Sequence, residues 1–75
     1  MNECEVILKR HVGDIAKYEN GWKMEVNIAA WNDKPAKYDI RTWSPGHVRM
    51  SRGLTLTEEE ARALYEVLKT EFETF

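Results

Sequence analysis

Two stretches of the chain alternate hydrophobic and polar residues with a period of two, and the pattern turns helical after Thr57. The alternation is clearest over residues 22–31. Trp22, Met24, Val26, Ile28 and Ala30 fall on one face there, and Lys23, Glu25, Asn27, Ala29 and Trp31 on the other. Successive strand side chains point to opposite sides, so the stretch predicts a half-buried antiparallel strand. Residues 37–43 repeat the pattern, with Tyr38, Ile40 and Thr42 opposed to Lys37, Asp39, Arg41 and Trp43. Upstream, Glu5 to Val12 is rich in β-formers and predicts a first strand; Gly13 interrupts it, and Ile15 to Tyr18 continues it after a bulge or bend. Asn20-Gly21, flanked by Tyr18 and Trp22, is the favoured pair for a two-residue hairpin, because both central residues need positive φ. Turns are also expected at Asn32-Asp33-Lys34-Pro35 and at Ser44-Pro45-Gly46. A basic segment (Arg49 to Arg52) follows, and then a short apolar strand, Leu54 to Leu56.

The helix has a well-marked start. Thr57 is a good N-cap, Glu60 completes a capping box, and Glu58 and Glu59 suit the positive end of the helix dipole. Ala61, Leu64, Tyr65, Leu68, Phe72 and Phe75 form an apolar stripe, opposed by Arg62, Glu66, Lys69 and Glu73. Within it, Ala61, Tyr65, Leu68, Phe72 and Phe75 step by four and three, the spacing of a helix–helix seam. The prediction is a single α+β domain, with the sheet over 5–56 and the C-terminal helix over 58–73 capping one sheet face. Leu64, Tyr65, Leu68 and Phe72 are the candidate residues for meeting a second copy.

Length and composition make association more probable. A single core in a chain of 75 residues rarely gives more than about 3–5 kcal/mol unless something staples it. One cysteine, Cys4, excludes an intramolecular disulfide and points to a reducing compartment. His11 and His47 are far apart in sequence, and no Cys or His spacing resembles a zinc site, so they read as surface residues and neither metal nor cofactor is expected. Oligomerisation remains as the staple. No apolar run reaches membrane-spanning length and the acidic N-terminus is unlike a signal peptide, which reads as a soluble cytoplasmic protein with no membrane partner.

The net charge is −2, but it is unevenly spread. Residues 1–56 hold nine Lys and Arg against seven Asp and Glu, and residues 57–75 hold two against six. The excess base lies in the sheet. If the apolar faces of the second and third strands both point to the core, their outer faces coincide. That outer face presents Lys23, Asn27, Trp31, Lys37, Arg41 and Trp43 to solvent, with Arg49 and Arg52 following. Exposed rings stack bases of single-stranded nucleic acid while Lys and Arg follow phosphates. The other reading is a protein-interaction or dimeric structural surface with no nucleic-acid ligand, both tryptophans being covered by a second subunit. No carboxylate pair or Ser–His arrangement has a meaningful spacing, so an enzyme is not expected.

Tyr38-Asp39-Ile40-Arg41-Thr42-Trp43, followed by Met50-Ser51-Arg52-Gly53-Leu54-Thr55-Leu56-Thr57-Glu58-Glu59-Glu60, resembles the transcriptional coactivator family typified by human positive cofactor 4. Gly21-Trp22, Glu25-Val26-Asn27 and Trp31-Asn32-Asp33 resemble its small bacterial, YdbC-like members, and the likeness runs from Val6 to Leu68. The resemblance implies a curved four-stranded antiparallel sheet followed by one helix, assembled as an intertwined homodimer. It further implies binding of single-stranded DNA, with little sequence preference, across the exposed sheet faces. Trp31 matches the family's aromatic at the end of its second strand, and Arg41 the arginine of the Asp-Ile-Arg motif. Trp43 falls near another family aromatic, and Lys23 and Lys37 match as basic positions. The serine-rich, lysine-rich arm of the eukaryotic coactivators has no counterpart in this sequence. The expectation is therefore a homodimer binding single-stranded DNA or RNA, in transcription regulation, replication or repair.

Overall fold

The computed structural model describes residues 6–73. The readings made for Cys4, for Glu5 as a strand start and for Phe75 in the apolar stripe lie outside those residues. Four strands, β1 (Val6–Lys17), β2 (Lys23–Trp31), β3 (Lys37–Trp43) and β4 (Met50–Leu56), form one antiparallel sheet in the order β1-β2-β3-β4. A short 3₁₀ turn (Pro45–His47) separates β3 from β4, and one helix, α1 (Glu58–Glu73), ends the fold. The α+β class, the four strands in chain order and the terminal helix are those predicted from the sequence.

Gly13 does not interrupt β1. The strand runs through it, and Gly13 pairs with Val26. The expected bulge is present as slips of the register against β2 at Lys9, at Val12 directly beside Gly13, and at Ile15. Each extra residue bends and twists the strand locally. The hairpin after β1 also differs from the two-residue form. Gly21 N–H donates to Tyr18 O and Tyr18 N–H donates to Trp22 O, both at 2.9 Å, and of the two central residues only Gly21 has positive φ, +91°. A three-residue loop closed by a left-handed glycine fits that pattern. The β2–β3 connection is the one with two left-handed residues in succession, Asn32 at 49° and Asp33 at 68°. Asn and Asp tolerate this conformation best after glycine.

The capping box is present: Thr57 N–H donates to Glu60 Oε1 at 2.8 Å and Glu60 N–H to Thr57 Oγ1 at 3.1 Å. What α1 does next departs from expectation. It meets mainly β3 and β4, and none of its residues is buried. Tyr65 is 59% exposed, and Phe72 72%. The prediction that the helix caps its own sheet is therefore wrong. A capping box and an amphipathic stripe set where a helix starts and which side is apolar; they do not choose what that side packs against.

Burial on the sheet runs opposite to simple amphipathicity. Met24, Val26, Ile28, Tyr38 and Ile40 are half-buried, whereas Glu25, Asn27 and Asp39 on the other face are buried, Asn27 and Asp39 at 1% and 0% exposure. Among the described residues the buried apolar side chains are only Ala29, Ala30 and Trp43. The interior of one chain is thus largely a polar network on the face that sequence alternation assigned to solvent.

Gly21→Ala tests the hairpin assignment. A Cβ there would meet a left-handed backbone and lie 2.9 Å from Pro45 Cγ. The substitution is expected to lower unfolding free energy by about 1–2 kcal/mol in denaturant titration. An unchanged midpoint would show that the loop does not need glycine.

Candidate nucleic-acid interface

The register brings the sequence-nominated residues together. Lys23 pairs with Trp43, Glu25 with Arg41, Asn27 with Asp39 and Ala29 with Lys37, and directly paired residues share a face. The predicted coincidence of the β2 and β3 outer faces is observed. Its solvation is not as predicted. Trp43 is 6% exposed and Asn27 buried, and the Arg41 side chain is 11% exposed. These side chains are covered by one another.

At the turn end of the face, Asp39 is the anchor. Arg41 donates twice to it, Nε to Oδ1 at 2.7 Å and Nη2 to Oδ2 at 2.8 Å, and Trp31 Nε1 donates to Oδ2 at 3.2 Å. A bidentate guanidinium–carboxylate pair is among the stronger side-chain interactions and fixes the plane of the guanidinium. That plane lies over the Trp31 ring, Cζ being 4.6 Å from the centroid, a cation–π contact. Arg41 Nη1 also donates to Ser51 O at 3.3 Å. The pairing of Arg41 with Gly53 makes the arrangement sterically possible. A Cβ on Gly53 would sit 2.5 Å from Arg41 Cβ and 2.7 Å from its Nε. Beside this group opens a recess of about 310 Å³ lined by Trp31, Lys34, Pro35, Lys37, Arg41 and Thr55.

The other end is built around Glu25. His47 Nε2 lies 3.1 Å from both carboxylate oxygens, and Asn27 Nδ2 donates to Oε1 at 3.1 Å. His11 Nδ1 meets Asn27 Oδ1 at 2.7 Å. His47 stacks on Trp43 with ring centroids 4.4 Å apart and planes 25° apart. A tight loop delivers it there. Arg49 N–H donates to Ser44 Oγ at 2.7 Å, His47 N–H to Ser44 O at 2.9 Å, and His47 itself is left-handed at φ 59°. A second recess, about 470 Å³, takes in Lys23, Glu25, Asn27, His11, Asp14 and His47. Both histidines are exposed, as expected, and both also turn to Glu25. His11, Asp14 and Glu25 bring possible metal-ligating atoms within 4.8 Å of one another. Each of the three is already engaged, His11 Nε2 lying 3.2 Å from Asp14 Oδ1.

Of the remaining nominated cations, Lys23 and Lys37 are exposed at the rims of the two recesses. Arg49 and Arg52 are exposed and lie outside both. Sequence reasoning missed Lys34, read only as a turn residue, and it missed the roles of Asp39 and Glu25. The alternation had already placed both carboxylates on this face.

A family model described as Transcriptional Coactivator p15 (PC4) matches residues 18–67, a span from the first hairpin to well inside α1. A protein of Treponema pallidum (strain Nichols), described only as uncharacterized, is 43% identical over 61 residues, covering 81% of this chain and 72% of its own length.

Burial raises the pKa of Glu25, but the hydrogen bonds from Asn27 and His47 and the nearby charges of His47 and His11 outweigh it. The carboxyl is left below its ordinary 4.5. A lowered carboxylate pKa stabilises the fold above the unfolded value, and that contribution is lost as pH falls through the folded one. Glu25→Gln should therefore melt lower than the unsubstituted protein at neutral pH, with the gap closing below the ordinary 4.5. Melting curves across that range check it; a gap that does not depend on pH would detach Glu25 from the histidines.

Proposed function

The chain belongs to the transcriptional coactivator p15 (PC4) family, and we propose that it binds single-stranded nucleic acid, DNA or RNA, across the polar face of its sheet with little sequence preference. The observation that carries this reading is the Trp31 recess, where a half-exposed indole held by Asp39 and Arg41 stands beside the exposed cations Lys34 and Lys37. A flat ring with ammonium groups beside it suits a base and its phosphates, and stacking is indifferent to base identity because every base has a π-face. The family's association with single-stranded DNA supports the same assignment.

Under this proposal Trp31 is the stacking platform, and Lys37, Lys34 and Lys23 are the phosphate contacts. Arg49 and Arg52 are exposed cations outside the recesses that extend the positive field. Arg41 contributes chiefly by backing Trp31, since most of its donors are engaged. Trp43 is covered by His47, so the outer ring at that end is the imidazole, and Asn27 bridges His11 to Glu25 beneath the surface. The protein acts without catalysis, in the cytoplasm, in transcription regulation, replication or repair. Among the described residues, no helix is long and apolar enough to cross a membrane.

The proposed assembly is a homodimer. Leu64 is 38%, Leu68 41% and Phe72 72% exposed in the single chain, Tyr65 lies open beside them, and the apolar sheet face is half-open. Burying such a side chain fully contributes about 1.5–3 kcal/mol, so a second copy set on this stripe supplies the core one chain lacks.

Fluorescence anisotropy of labelled oligo-dT, titrated at several salt concentrations, tests the ligand. Binding should weaken with a log–log slope of about −0.7 per phosphate contacted. Trp31→Ala should cost about 1–3 kcal/mol, the worth of one stacking platform. Flat anisotropy at low salt would transfer the face to a protein partner, the alternative function. Sedimentation tests the assembly: the expected particle has about twice the 8.8 kDa chain mass, and Leu68→Glu with Phe72→Glu should abolish it. A monomer that melts cooperatively would overturn the dimer.

A further inference from the structure

We propose that Asp39 and Glu25 are positioning residues of the nucleic-acid face, so that two of its negative charges strengthen binding instead of opposing it. The inference rests on the nucleic-acid reading above and deepens it. A carboxylate on a surface that meets phosphates should repel them, and neutralising it should tighten binding. That expectation holds for a solvated acid with no fixed partner. Asp39 is fully buried, and its two oxygens take three donors, two from Arg41 and one from Trp31. Its charge is compensated at hydrogen-bond distance, and what it contributes outward is geometry: the orientation of an indole and of the guanidinium lying across it.

Glu25 repeats the plan at the other end. A buried carboxylate holds a nitrogenous side chain, His47 here and Arg41 there, against a tryptophan. Two independent features mark both ends as built. Gly53 leaves room for the Arg41 side chain beside the Ile40 carbonyl, and a Cβ there would overlap both. His47 sits at a φ of 59°, in the left-handed region that is uncommon for a non-glycine residue, and the Ser44 hydrogen bonds hold the loop there. With rings and cations held in place before the ligand arrives, less ordering remains to be done on binding.

The test compares neutralisation of held and free acids by oligo-dT anisotropy, with folding of each variant checked by circular dichroism. Asp33→Asn removes an exposed turn acid and should leave affinity unchanged or raise it. Asp39→Asn should weaken binding about tenfold or more, the scale of a lost charge-assisted bidentate bond. Glu25→Gln should weaken it in the same direction. In an Arg41→Ala background, Asp39→Asn should weaken binding much less, because the carboxylate then has only the Trp31 indole left to hold. A folded Asp39→Asn protein that binds as tightly as the unsubstituted one, or more tightly, would overturn the proposal.

A measurement on the free, unsubstituted protein keeps the idea testable if Asp39→Asn does not fold. The Arg41 Nε–H signal in ¹H–¹⁵N spectra should be resolved and slow to exchange with water. A fast-exchanging, averaged Arg41 signal would overturn the positioning role whatever the protein binds. Absence of oligo-dT binding by the unsubstituted protein, with Arg41 held, would instead overturn the nucleic-acid reading.

Discussion

The structure turns on a charge removed from water. Asp39 lies at the centre of the sheet, paired across β2 with Asn27, and a carboxylate there is tolerable only if its lone pairs are taken up. Arg41 and Trp31 take them up, and in doing so lose their freedom. From that one requirement follow the orientation of the indole and the plane of the guanidinium over it. Removing one partner of a buried pair typically costs about 3–5 kcal/mol, because the other charge is stranded. The polar face is therefore tied by fixed partners, although it is made of side-chain types common on solvated surfaces.

The consequence appears on the opposite side. A sheet whose best-packed face is polar leaves its apolar residues without a cover, and α1 does not provide one. The helix is well formed locally, with a reciprocal cap and an Arg62–Glu58 ion pair of 2.8 Å along its solvated side. Surface pairs of that kind contribute little, so what remains to stabilise α1 is its apolar stripe. The two faces differ: the polar one is largely paired within the chain, and the apolar one stays half-open.

The two ends of the polar face share a plan but not a chemistry. Asp39 is held by a guanidinium and an indole, whereas Glu25 is met by an imidazole and an amide. At the Glu25 end, the indole Nε1 of Trp43 is buried with no hydrogen-bond partner among the described residues. An unpaired buried donor is costly, which makes this the less well satisfied end.

What the sequence by itself determined is everything carried by short-range rules. Strand alternation named the shared face of β2 and β3, and the capping box set the start of α1. The Asp-Ile-Arg motif with its tryptophans marked the family. These are legible because side-chain period and backbone capping depend on neighbours a few residues apart. Tertiary structure alone decided which face is buried, since alternation separates two faces without saying which one excludes water. It decided that His47 meets Glu25 across 22 residues of sequence and that Arg41 meets Gly53. It also decided that the register of β1 slips at three places, one of them beside Gly13, while the strand continues through. Those outcomes depend on register and on desolvation, and both are properties of groups distant in the chain.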